Sequence, residues 1–175
     1  MSSARPLRIA ETERLVIREI DENDAAFINE LLNSPGFLRY IGDRGVRTDD
    51  DARAFIRDRY RKSYEDNGYG LYGVLLKNDG SPVGMCGFVR RDTLPGPDLG
   101  FAFLPEHEGK GYGQESSIAV LKFGRDELAF TDLYAITTLD NAASIKLLEK
   151  LGFTFDKTIE TPDGETLRLF SIDLE

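Results

Sequence analysis

An α/β or α+β fold is predicted, with one mixed sheet and helices on both of its faces. Strand-like apolar segments alternate with segments whose apolar residues recur at helical spacing. Two turns that contain Asp-Gly separate neighbouring strand-like segments, and this pattern predicts hairpins. The 175 residues show no repeat or linker, so we expect a single domain, 1–175, in which residues 1–11 form a flexible lead.

The first part of the chain predicts one strand followed by two helices. The strand covers 15–19, and helical spacing of apolar residues predicts a helix over 24–33. Thr48 precedes three aspartates, and a capping hydroxyl followed by acids is a strong helix start. The buried stripe of this second helix is expected to contain Ala52, Phe55, Ile56 and Tyr60.

The remaining elements follow from turns and glycines. Strands at 71–77 and 83–90 flank the turn 78–81, and a fourth strand covers 99–104. A long helix then follows the glycine-dense loop and ends near Phe130, with an apolar side of Ile118, Leu121, Phe123 and Leu128.

The C-terminal part predicts a strand, a helix and a final hairpin. The strand covers 133–138 and the helix 141–151, with Gly152 as a left-handed cap. Two last strands flank the turn 162–164.

Composition narrows the class of partner. The net charge of -9 argues against nucleic acid, whose phosphates need clustered Lys and Arg, and leans towards a cationic partner. A single cysteine, Cys86, excludes an internal disulfide, so the expected location is the cytoplasm. The apolar runs are too short to span a bilayer, and we expect no membrane partner.

The loop Glu108-Gly109-Lys110-Gly111-Tyr112-Gly113-Gln114-Glu115 is a candidate phosphate site. Its glycines allow close approach of a ligand, and the N–H groups of the following helix start attract anions. It is not a P-loop, because Leu104 and Gly111 stand at required positions, and Gln114 breaks the dinucleotide fingerprint. On glycine content alone, a flexible turn is an equally good interpretation.

A second motif favours ligand binding. The run Asn141-Ala142-Ala143-Ser144 opens a helix that closes with Glu149-Lys150-Leu151-Gly152-Phe153. Together with the glycine loop, it resembles the GNAT superfamily of acetyl-CoA-dependent N-acetyltransferases. The opening at 11–18 and the strand at 99–104 look like the branch of ribosomal-protein N-terminal acetyltransferases. The resemblance extends from about Thr12 to the C-terminus.

The resemblance implies a GNAT-like, mostly antiparallel sheet of about seven strands with about four helices. It also implies a wedge beside the strand before the loop, where backbone groups of Phe103 and Leu104 would pair with pantetheine. Asn141 would bind the pantetheine or its flanking backbone. The pyrophosphate would contact the amides of Gly109, Lys110, Gly111, Tyr112, Gly113 and Gln114. Glu108 departs from the family pattern, which often has Arg or Gln, and its charge could weaken binding.

The implied reaction is acetyl transfer from the co-substrate acetyl-CoA to a primary amine, on a peptide N-terminus or a small basic molecule. The amine must be neutral, and Asp98 is the candidate base, although a solvated turn acid is an equal interpretation. A backbone N–H near Phe103 would stabilise the oxyanion. Ser144, one helical turn from Asn141, would protonate the leaving thiolate, or would otherwise bond to backbone N–H groups of its helix.

Two other residues are assigned no catalytic role. His107 is expected to be a surface loop residue, and Cys86 a buried structural thiol, because no basic partner is evident. No Cys/His set has metal-ligand spacing, so no metal is expected. Two alternatives stay open: a non-catalytic acyl-CoA sensor and, less favoured, a nucleotide-binding protein. A homodimer is possible by analogy with the family.

Overall fold

The structure, a computed structural model, describes residues 6–175. Within this range one eight-stranded sheet has the order β1-β2-β3-β4-β5-β6-β8-β7. Every neighbouring pair is antiparallel except β5 and β6, so the predicted mixed, mostly antiparallel sheet is confirmed with one strand more than expected. The strands are β1 (Arg8–Glu11), β2 (Leu15–Glu19), β3 (Leu71–Leu76), β4 (Pro82–Val89), β5 (Asp98–Phe103), β6 (Asp132–Thr138), β7 (Thr154–Glu160) and β8 (Thr166–Asp173).

Six α-helices lie within the described residues. A π-helical segment, Ile56–Arg61, joins α3 and α4 into one continuous helix, so the six form five separate helical rods. The helices are α1 (Ala25–Leu32), α2 (Pro35–Tyr40), α3 (Asp49–Phe55), α4 (Lys62–Asn67), α5 (Tyr112–Asp126) and α6 (Ala142–Leu151).

The flexible lead predicted for 1–11 is wrong for its last residues. Arg8–Glu11 forms β1 and pairs with β2, so its backbone groups find partners at the sheet edge. The backbone N–H of Glu19 also donates to the carbonyl of Leu7 at 2.8 Å. The first five residues of the predicted lead lie outside the described residues.

The local capping predictions are confirmed. Thr48 and Asp51 form a reciprocal capping box at the start of α3, and Gly152 ends α6 in the left-handed region. The end of α5 is a correction: it stops at Asp126, not near Phe130. Ile118 is also not on the apolar side, since 54% of its surface is exposed.

Two hydrophobic clusters occupy the two faces of the sheet. One lies beneath α5 and α6 and includes Val120, Leu148 and the strand residues Cys86 and Phe88. The other packs α1 and α3 against Met85 and other residues of the opposite face. Because both faces are covered, the sheet is fixed between two layers of helices, as predicted.

The feature that positions the site is the separation of β5 from β6. The two parallel strands share a single registered pair, Asp98 with Tyr134, and then diverge. Past this pair their backbones no longer bond to one another, so a V-shaped gap opens in the middle of the sheet.

Candidate active site

A cleft of about 930 Å³ opens at the gap between β5 and β6. One wall contains the glycine loop and the start of α6, and the other contains α2 and the continuous helix of α3 and α4. Of the predicted site residues, eight line this cleft: Asp98, Phe103, Gly109, Gly111, Tyr112, Gly113, Asn141 and Ser144.

The glycine loop leaves the start of α5 without a cap. Gly111 is the N-cap residue, with a φ of +85°, and Gly109 has a φ of +74°. Because the N-cap has no side chain, no side-chain oxygen accepts from the first-turn N–H groups of this 15-residue helix. These free donors and the helix dipole make the loop a ready anion-binding site.

The β1–β2 turn, Thr12–Arg14, forms hydrogen bonds that hold the glycine loop in place, and we call this segment the brace. The Glu115 carboxylate on α5 accepts from Thr12 Oγ1 at 2.6 Å and from the Arg14 backbone N–H at 3.0 Å. Arg14 Nε bonds the other carboxylate oxygen at 2.7 Å, and Arg14 Nη1 donates to the carbonyl of Lys110 at 3.0 Å. The Arg14 guanidinium also lies 4.6 Å above the Tyr112 ring. The segment Thr12–Arg14 therefore fixes the loop conformation.

Asn141 and Ser144 come together at the start of α6, on the cleft wall. The Asn141 side-chain oxygen accepts from the Ser144 backbone N–H at 3.3 Å, so Asn141 caps its own helix. Among the described residues, neither the Asn141 amide NH₂ nor the Ser144 hydroxyl has a hydrogen-bond partner. Both groups are therefore available to a ligand in the cleft.

The other three predicted ligand residues lie outside the cleft lining. Leu104 is 4% exposed and its backbone is already used, since its N–H donates to Val83 and its carbonyl accepts from His107, each at 2.9 Å. Lys110 and Gln114 have exposed side chains, which leaves their backbone amides as the candidate ligands. Phe103 is the better placed of the two predicted strand residues.

Asp98 is a buried acid, not a solvated turn residue. It is 1% exposed at the first residue of β5, and Arg91 Nε donates to its Oδ1 at 3.0 Å. Burial raises the pKa of Asp98 to about 6, against the lowering effect of Arg91. A carboxyl group that titrates near neutrality in a cleft has the property that general-base catalysis requires.

Two cleft residues carry buried polar atoms without a partner. Thr137 on β6 is 6% exposed, and its hydroxyl has no hydrogen bond. His107 is half-buried and lines the cleft with an unpartnered Nδ1, so the prediction of a surface loop residue is wrong. Sequence patterns do not reveal Thr137, because its burial depends on how β6 is placed.

The remaining chemical groups stay outside the site. Cys86 is fully buried, and burial raises the pKa of its thiol to about 11, as expected of a structural thiol. Within 6–175, no group of three or more His, Cys, Asp or Glu side chains is arranged to hold a metal. The described helices also include none with the length and apolar character needed to cross a membrane.

Comparison with known proteins gives the family. A family model described as "Acetyltransferase (GNAT) domain" matches residues 14–154. The chain belongs to the GNAT acetyltransferase family. The predicted resemblance is therefore confirmed, and as a GNAT protein this chain is an acyltransferase.

Relatives of this GNAT enzyme include two proteins of Bacillus subtilis (strain 168). The uncharacterized protein YkkB is 31% identical over 153 residues, 85% of this chain and 86% of YkkB. The uncharacterized N-acetyltransferase YnaD is 28% identical over 141 residues, 81% of this chain and 79% of YnaD. Among solved structures, the RimL ribosomal L7/L12 alpha-N-protein acetyltransferase in complex with coenzyme A has a TM-score of 0.81. At 15% identity, over 95% of this chain and 97% of RimL, the likeness shows a shared fold.

GNAT acetyltransferases take their acetyl group from acetyl-CoA, and the residues of this cleft fit that molecule. The free N–H groups after Gly111 suit the pyrophosphate. The unpaired backbone edges of β5 and β6 suit the pantetheine amides, and the orphan Thr137 hydroxyl lies in the same cleft.

Proposed function

We propose that this protein transfers the acetyl group of acetyl-CoA to a primary amine, on a peptide N-terminus or a small molecule, by direct attack of the amine on the thioester. The observation that carries the proposal is the single registered pair between β5 and β6. The resulting gap gathers an uncapped helix start, free Asn141 and Ser144 groups and a buried acid around one cleft.

The chain supplies two groups for proton transfer. Asp98, with its pKa of about 6, accepts the proton that the amine must lose, directly or through one water. A backbone N–H near Phe103 stabilises the oxyanion. As the new C–N bond forms and the C–S bond breaks, the Ser144 hydroxyl protonates the leaving sulfur and recovers a proton from solvent.

The binding step is tested by calorimetry with acetyl-CoA and desulfo-CoA, using ATP and NAD as controls. Gly111→Asp should abolish binding, because a side chain at a φ of +85° strains the loop and its Cβ would meet Arg14 Nη2 at 3.2 Å, which disturbs the arrangement of the free N–H groups. The matched control is Gly164→Asp, because Gly164 has a similar φ of +89° but lies in the β7–β8 turn. Equal loss in both variants, or no binding by the wild type, contradicts the proposed cofactor site.

The catalytic step is tested by release of CoA thiol across a panel of amines. Ser144→Ala should reduce kcat about 10-fold or more while acetyl-CoA affinity stays unchanged. A protein that binds acetyl-CoA tightly and releases no thiol with any amine would be a sensor, and the proposal of acetyl transfer to an amine would fail.

A further inference from the structure

The acceptor side of the cleft is unexpectedly cationic for a chain with a net charge of -9. Five basic residues line it, on the α2–α3 loop, the continuous helix of α3 and α4, and the end of the β4–β5 hairpin. They are Arg44, Arg59, Lys62, Arg90 and Arg91.

Three of these charges, those of Arg44, Arg59 and Arg90, have no carboxylate partner among the described residues, and Arg90 donates instead to the neutral amide oxygen of Asn67 at 3.5 Å. Lys62 lies 3.4 Å from Asp66, and Arg91 pairs with Asp98. Arg44 and Arg59 have no carboxylate within 4.0 Å among the residues that the structure describes. The nearby acid of the same wall, Asp58, pairs with Arg57 instead, at 3.4 Å.

Two of the three unpaired arginines, Arg44 and Arg59, lie close to one another. Both line a small groove between the α2–α3 loop and α3, as well as the main cleft. Burial lowers the pKa of Arg44, and the positive charges of Arg91 and Arg59 lower it further. Like charges held together without a counter-ion are unfavourable, so an anion bound between them is stabilised.

Aromatic rings hold both guanidinium groups in place. Arg44 lies 5.9 Å from the centroid of the Phe37 ring, and Arg59 lies 5.5 Å from that of Phe55. Stacking on a ring leaves the edge donors of a guanidinium free for a carboxylate or a phosphate. Arg59 belongs to the π-helical segment, and such segments are frequent at functional sites.

We infer that the acceptor is a small amine that carries an anionic group, a carboxylate or a phosphate, which Arg44 and Arg59 bind while the amine reaches Asp98. This inference rests on the proposed function and narrows its acceptor class. The net charge of the chain led us to expect a basic acceptor, and this inference reverses that expectation. The side chains that face the acceptor carry positive charge, although the chain as a whole is negative. A polyamine would meet three arginines without a carboxylate partner in this cleft.

Paired acceptors test the inference. Each amine that carries an anionic group is compared with a counterpart that lacks this group, called here the neutral form. Alanine is paired with alaninamide to test a carboxylate, and 2-aminoethyl phosphate is paired with ethanolamine to test a phosphate. Putrescine is the cationic reference. We expect kcat/KM from thiol release to be at least 10-fold higher for the anionic member of one pair. The better pair identifies the anion. Equal or faster reaction of the neutral forms or of putrescine overturns the inference and leaves acetyl transfer standing.

The arginines are tested by substitution. Arg44→Gln and Arg59→Gln should each raise KM for the anionic acceptor about 10-fold with little change in kcat, and leave the neutral partner unaffected. Arg53→Gln is the matched control, since Arg53 lies in α3 of the same continuous helix, outside the cleft lining, and pairs with the exposed Asp50. An unchanged KM in both cleft variants contradicts the assignment.

A binding experiment separates this inference from the proposed function. With desulfo-CoA saturating the glycine loop, inorganic phosphate and acetate are titrated into the wild type and Arg44→Gln. Anion binding that the variant loses supports the inference, and no binding by the wild type overturns it. If desulfo-CoA itself does not bind, the proposed function fails instead.

Discussion

A single hydroxyl, that of Thr137, provides a sharp test at the scale of residues. A buried hydroxyl without a partner costs about 1–3 kcal/mol, so Thr137→Val should leave the free enzyme equally stable or more stable. If the hydroxyl binds the pantetheine arm, the same change should weaken acetyl-CoA binding several-fold. Thermal unfolding and calorimetry measure the two effects. Thr158→Val, on exposed β7, is the control, and unchanged affinity in Thr137→Val would remove this residue from the site.

As pH rises, ionisation of Asp98 should increase activity and decrease the stability of the fold. Burial raises its pKa from 3.8 to about 6, so kcat/KM should rise as pH increases through about 6 and the carboxylate forms. The raised pKa stabilises the fold fully below pH 3.8, and this contribution is lost as pH rises through 6. pH–rate profiles and denaturation at several pH values measure both trends.

Two variants check the Asp98 assignment. Asp98→Asn should remove the acidic limb of the rate profile together with most activity. Arg91→Gln should shift that limb to higher pH, because Arg91 lowers the Asp98 pKa. A limb that neither variant moves belongs to another group.

At the scale of elements, the β1–β2 turn should affect the affinity for acetyl-CoA indirectly, because it holds the glycine loop in place without contacting the ligand. Glu115→Gln replaces a carboxylate that holds Thr12 and Arg14, and the loop before α5 should become less ordered. We expect acetyl-CoA affinity to fall about 3- to 10-fold with kcat at saturation little changed. The control is Glu127→Gln at the exposed end of the same helix. Equal affinity in the Glu115 variant would mean that the loop is ordered without the brace.

Among the elements, those that depend only on neighbouring residues could be predicted from the sequence. The caps at Thr48 and Gly152 are local, since each depends on residues within one helical turn, and both predictions are confirmed. Helix α2 is missed because it has only six residues, although Pro35 stands in its first turn and Phe37 is buried. β1 is missed because its pairing depends on β2 as a partner.

The candidate site divides in the same way. Motif residues such as Gly111, Asn141 and Ser144 can be found from sequence because they are close along the chain and mark helix starts. Arg44 and Arg59 cannot, since only the packing of the α2–α3 loop against α3 brings them to one wall. Net charge is also a poor guide here, because it averages over a surface while an acceptor meets a few side chains.

At the scale of the whole molecule, the gap between β5 and β6 leaves the sheet incomplete without a ligand. Acetyl-CoA at 100 times its Kd should stabilise the protein by about 2.7 kcal/mol through mass action alone. If pantetheine fills the gap as an additional strand, the stabilisation should be concentrated in β5 and β6, the two strands that border the gap. Amide hydrogens within 99–103 and 135–138 that lack a sheet partner should exchange more slowly with the ligand bound.

Hydrogen exchange followed by mass spectrometry distinguishes this local closure from general stabilisation. Amides of β2 and β3, which pair fully with each other, serve as the internal control because the ligand adds no hydrogen bond to them. Protection of β5 and β6 beyond the change in β2 and β3 supports a ligand that bridges the two halves of the sheet. Protection confined to 108–115 would instead mean that the ligand is held by its phosphates, and the diverging strands would be only the floor of the cleft.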